Sequence, residues 1–124
     1  MNRGNRIGLL ILLTIWLPAG QAAIRQIEQA FELRPEQLQL PARPDAQLTI
    51  RPCASCRVVA LQVTATTLWY AGMTERQPAG QAAVLQIYRT AGSDPRTLVH
   101  VYYEPRTLRV KRIVLDLPPG AKPR

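Results

Sequence analysis

The chain has 124 residues, with 16 Lys and Arg against 8 Asp and Glu, and a formal net charge of +8. That length bounds it to one modest domain after any processing. Its two cysteines and one histidine fall short of the four ligands a structural zinc takes, and it contains neither a Gly-rich phosphate loop nor a nucleophile elbow.

The first 22 residues carry an address. Arg3 and Arg6 open the chain, Ile7 to Leu17 forms an apolar run, Pro18 ends it, and Gly20-Gln21-Ala22 offers small residues at a cleavage site. That order predicts a secretory signal peptide over 1–22. The run is shorter than the roughly 20 residues a bilayer crossing needs, and no later stretch is apolar enough, so no transmembrane segment is expected after cleavage. Loss of Arg3 and Arg6 from the 16 basic residues leaves 14 against 8 acidic ones, a mature charge near +6. A basic exported protein is drawn to anionic surfaces. The preference for Arg over Lys, 14 to 2, suits a GC-rich bacterium, which makes the expected compartment the periplasm or the exterior.

Residues 23–47 read as an N-terminal segment. In 23–34, Ile24, Ile27 and Phe31 share a helical face, although Phe31 and Leu33 also alternate as a strand would. We read a short helix here, ending before Pro35. Residues 35–47 hold three prolines and read as extended connecting chain, with Leu38 and Leu40 adding a short edge segment.

A β core is expected over 48–117. Leu48 and Ile50 alternate with Thr49 and Arg51, and Val59, Leu61 and Val63 form one face of a β-branched run over 57–70. Residues 72–81 read as a polar loop. Residues 82–90 read as a strand with Ala83, Leu85 and Ile87 on one face, and 91–96 as a turn. Val99, Val101 and Tyr103 share a face in the next run, and Glu104 to Thr107 reads as a hairpin loop with Pro105 presetting φ. In 108–117, Leu108 and Val110 have one parity but Ile113, Leu115 and Leu117 the other. One extra residue near Lys111 or Arg112 would reconcile them, so a β-bulge is predicted there. The tail 118–124 is Pro-rich and reads as disordered. These runs predict an all-β, mainly antiparallel single domain: a small sandwich or partly open barrel of five to six strands, with the short N-terminal helix attached. The short gaps between runs argue against parallel pairing.

Cys53-Ala54-Ser55-Cys56 is the one motif with chemistry available to it. An oxidising compartment and a single pair of cysteines make a structural disulfide the expected reading. The alternatives are a thiol-redox pair, favoured by Arg51 and Arg57 but lacking the helix that should follow the first cysteine, and a copper site of two thiolates with Met73 as a conceivable third ligand. Haem attachment fails because Arg57, not His, follows Cys56.

His100 lies on the strand face opposite Val99 and Val101, with no nucleophile or acid beside it in sequence, and reads as a strand histidine rather than a base. Trp69, Tyr70, Tyr88, Tyr102 and Tyr103 could stack on bases or sugars, or pack across strands. Glu75, Asp94, Glu104 and Asp116 show no paired spacing of the hydrolase kind. The locally dense basic stretch is Arg106, Arg109, Lys111 and Arg112, the expected contact for an anionic partner. The sequence thus leads to a small exported, non-catalytic β-domain, a binding or accessory protein of the bacterial cell envelope. No cofactor, metal or specific nucleic acid is expected. A periplasmic thiol-redox or copper-handling protein is the alternative, and a strand edge open to β-augmentation a third reading.

Overall fold

The computed structural model describes residues 28–120. The predicted signal peptide, residues 23–27 and tail residues 121–124 lie outside them. Seven strands form one mixed sheet with one α-helix: β1 (Gln29–Leu33), β2 (Leu38–Gln39), β3 (Ala46–Ile50), β4 (Val59–Val63), β5 (Leu68–Tyr70), α1 (Gln81–Ala91), β6 (Leu98–Glu104) and β7 (Arg109–Asp116), with a 3₁₀ turn at Pro35–Gln37 between β1 and β2. The strand order is β1-β6-β7-β4-β3-β2, with β5 also on β7.

The segment predicted to be an N-terminal helix forms strand β1 over 29–33, paired antiparallel with β6. The alternation of Phe31 and Leu33 prevails because β6 offers a partner edge: Phe31 lies opposite Val101 and stacks on Tyr103 at 5.2 Å, and Leu33 lies opposite Val99. The sheet therefore begins ahead of residue 48. Leu38 sits in the predicted edge segment, β2, which closes the other end of the strand order.

The run 57–70 is broken. Between β4 and β5 the chain turns at Thr64–Thr67, where the Thr67 amide donates to the Thr64 carbonyl at 3.0 Å. The buried Thr67 hydroxyl accepts from the Thr64 amide at 3.0 Å and donates to the Val110 carbonyl at 2.9 Å. It thus joins the kink to β7, so that β4 and β5 both run parallel to β7, at Gln62–Arg109 and over 68–70 with 112–114. The crossover that parallel pairing requires is the stretch from Ala71 to Leu108, which holds α1 and β6.

Helix α1 replaces the strand expected over 82–90. Gly80, at φ 88°, lets the chain turn into it. Gln81, Ala82, Ala83, Leu85 and Gln86 are good helix formers. Val84 and Leu85 are buried and Ile87, Tyr88 and Ala91 half-buried, whereas Ala83 is exposed. That is a helical face, not the period-two face of Ala83, Leu85 and Ile87.

The bulge falls where the parity change puts it. Tyr102 pairs with Arg112 and Tyr103 with Val110, so Lys111 is the extra residue. Val110, Ile113 and Leu115 consequently all point inward and are buried.

The sheet is curled. β1 and β2 lie at opposite ends of the strand order, yet only residues 34–37 separate them. Five spacings across a flat sheet would span about 24 Å. Five residues from Leu33 to Leu38 reach at most about 17 Å even fully extended, and the 3₁₀ turn shortens that. The two edges are therefore drawn together at this end, and one buried cluster runs from Leu33 through Val99, Ile113, Leu61 and Ile50 to Leu38. Of the two expected architectures, this is the partly open barrel. The Arg51 amide donates to the Gln37 carbonyl at 2.7 Å, the Gln37 amide group to the Pro52 carbonyl at 2.8 Å, and the Tyr88 hydroxyl to the Pro35 carbonyl at 3.1 Å. These bonds fasten the 3₁₀ turn to the β3–β4 loop and to α1.

Candidate functional site: a basic corner and an outer-face cleft

The strand register that buries one face leaves Ala30, Glu32, Leu98, His100, Tyr102, Arg112, Val114, Asp116, Leu68 and Tyr70 on the other. Arg109 and Arg112 lie on this outer face at the start of β7, while Lys111 projects from the bulge and Arg106 from the β6–β7 turn. All four are exposed. The structure thus gathers the predicted basic residues at one hairpin end. Two carboxylates temper the charge: Glu104 pairs across the ladder with Arg109, and Glu28 lies 3.3 Å from the Arg112 guanidinium. Arg112 also sits 4.0 Å over the Tyr102 ring, so its position is fixed from two sides.

Arg112 leads into a cleft that the sequence did not disclose. The loop after β5 folds back over the outer face, and Tyr70, Gly72, Met73, Glu75, Arg76, Tyr102, Arg112 and Val114 enclose about 190 Å³. The new member is Arg76, which has no carboxylate within ion-pair distance among the described residues. It lies in a polar loop 36 positions from Arg112, and only the fold brings the two together. Two roomier depressions flank α1. The one at its start, about 500 Å³, has no charged side chain in its lining; in the one beyond its end, Asp94 and Arg96 neutralise each other at 2.9 Å.

The cysteines form a disulfide, Cys53–Cys56, with Cα atoms 4.9 Å apart. The pair closes a turn in the β3–β4 loop in which the Cys56 amide donates to the Cys53 carbonyl at 3.1 Å. Cys53 is exposed and Cys56 half-buried, and extended chain leading to β4 follows, not a helix. No helix N-terminus is therefore aimed at either sulfur. Among the described residues, no group of three or more His, Cys, Asp or Glu side chains is placed to hold a metal.

His100 occupies the predicted outer-face strand position, with 13% of its side chain exposed. Its Nε2 lies 3.7 Å from Asp116 Oδ2 and has no hydrogen-bond partner, so the pair lacks the close geometry of an oriented base. The other carboxylates are dispersed. Asp94 is held below the usual carboxylate range, first by the Arg96 side-chain hydrogen bond and then by the Arg96 amide. Compared with known proteins, the chain matches no family model, no curated protein and no solved structure. What the geometry defines is a class: a mainly-β domain of one curled mixed sheet whose outer face carries Tyr70, Tyr102, Arg109 and Arg112 beside the carboxylates Glu32, Glu104 and Asp116.

Proposed function

We propose that this protein is a small exported, non-catalytic binding or accessory domain of the bacterial cell envelope that engages an anionic component through the β6–β7 hairpin. The supporting observation is the exposure of Arg106, Arg109, Lys111 and Arg112 at one end of β7. Four cations at one corner raise the local potential far more than the same charges dispersed. The leader pattern in the sequence supports export.

The test is flotation of the mature protein with phosphatidylglycerol vesicles and with lipopolysaccharide at low and high salt. Binding at low salt that weakens as the Debye length shrinks is expected, as is a marked loss on combined Arg106→Gln and Arg109→Gln substitution. Absence of binding at low salt overturns the proposal. Intact mass of the exported protein tests processing: a chain beginning at Ala23 is expected, two mass units light until reduced.

A second reading rests on the exposure of Cys53 at the loop tip, which leaves the disulfide open to attack by an external thiol. A thiol-redox protein would show a bridge opened by mild glutathione and would reduce insulin; a structural bridge would do neither.

A further inference from the structure

We infer that the outer-face cleft between Tyr70, Arg76 and Arg112 is a binding site for one anionic sugar unit of an envelope glycan, a hexose carrying a carboxylate or phosphate. This rests on the envelope reading above and specifies its ligand.

The cleft's size sets the first limit. At about 190 Å³ it lies below the roughly 300–1,000 Å³ typical of sites for drug-sized molecules, so it suits one ring and one charged group. Its lining sets the chemistry. Arg76 and Arg112 come from different elements, the β5–α1 loop and β7, and both border the same space. Two guanidinium groups at one small cleft match a carboxylate or phosphate, which each can grip through paired N–H donors. Arg112 is already held by Glu28 and Tyr102, which lowers the entropy cost of binding although Glu28 offsets part of its charge. Arg76 brings a charge not offset by an ion pair among the described residues.

The remaining lining argues for a sugar rather than a bare anion. Tyr70 and Val114 are register partners on the outer face and both line the cleft, and an aromatic ring beside an aliphatic side chain suits the C–H face of a pyranose. Tyr102 already carries the Arg112 guanidinium on one face, and Tyr70 is the other aromatic ring at the cleft. Glu75 also lines the cleft. Its carboxylate repels any anion, free or sugar-borne, and sugar hydroxyls can offset that repulsion by donating hydrogen bonds to it.

The test is a titration of the ¹⁵N-labelled mature protein with glucuronate and with glucose 6-phosphate, using glucose and inorganic phosphate as controls. At least one anionic sugar should shift the amides of Tyr70, Gly72, Tyr102 and Val114, with an affinity about tenfold or more above both controls. Arg76→Gln, in an exposed loop, and Tyr70→Leu should each weaken that binding several-fold, the uncharged Tyr70→Leu change leaving vesicle flotation as it was. Phosphate binding as well as the sugars, or sugar binding indifferent to both substitutions, overturns the inference. If the sugars do not bind but vesicles do, the cleft assignment falls and the envelope reading stands. If neither binds, both fall.

Discussion

Individual side chains and single dihedrals at a few positions constrain this fold. Leu108, a residue 44% exposed, closes the β6–β7 turn at φ 58°, a left-handed conformation. A β-carbon there costs roughly 1 kcal/mol, and little packing compensates. Leu108→Gly should therefore raise stability by about 0.5–1 kcal/mol in urea unfolding; a loss instead would mean that the leucine packs in a way its exposure does not suggest. Tyr88 behaves differently. Burial, aided by the Glu36 charge, lifts its phenol above the ordinary value of 10.0. A folded value above the unfolded one means the native state retains the proton longer. The associated stability is complete below pH ~10 and is lost as pH rises through the folded value. Tyr88→Phe should remove this alkaline decline and, by losing the bond to Pro35, cost about 1 kcal/mol at neutral pH. Urea titrations at neutral pH and above pH ~10 measure both effects.

At the scale of elements, the sequence discloses those whose pattern is local. The alternation of Val99, Val101 and Tyr103 marks β6, and the parity change in 108–117 locates the bulge at Lys111. Deleting Lys111 should consequently leave a cooperative, folded domain, because Val110 and Ile113 keep the same face without it. Collapse of the thermal transition would show that the bulge itself supplies a needed bend. Helix α1 reads as a strand in the sequence because Val84, Ile87 and Tyr88 are good strand residues, and nine residues contain enough apolar positions to satisfy either period. The outcome depended on tertiary packing of Val84, Leu85 and Tyr88 against the sheet, not on propensity. β1 reads as a helix for the converse reason: its alternation covers only five residues, and the edge of β6 that decides it lies about 70 positions away. The disulfide is a local staple. A ring this small contributes roughly 2 kcal/mol by loop closure, so paired Cys53→Ser and Cys56→Ser changes should lower stability by about that much. Unchanged vesicle binding in that variant would separate scaffold from active site.

For the whole molecule, the class of fold was readable while the site was readable only in part. The four basic residues of the hairpin were legible because they are close in sequence. The cleft was not, since Tyr70, Arg76, Tyr102 and Arg112 meet only after the sheet is assembled and the 71–77 loop folds over it. Nor does composition reveal a curled sheet. That shape follows from β1 and β2 being successive in the chain yet terminal in the strand order.

The short link between those two edges also makes the molecule divisible. All of β1 lies on one side of the 3₁₀ turn at Pro35–Gln37, and every other strand on the far side. Scission of the chain between Glu36 and Gln37 would therefore separate a peptide carrying β1 from a remainder carrying the other six described strands. Folding would change from a unimolecular event to an association, with a melting temperature that rises with protein concentration. A peptide spanning residues 23–36 should then restore the strand to the remainder in trans, as a complementing pair.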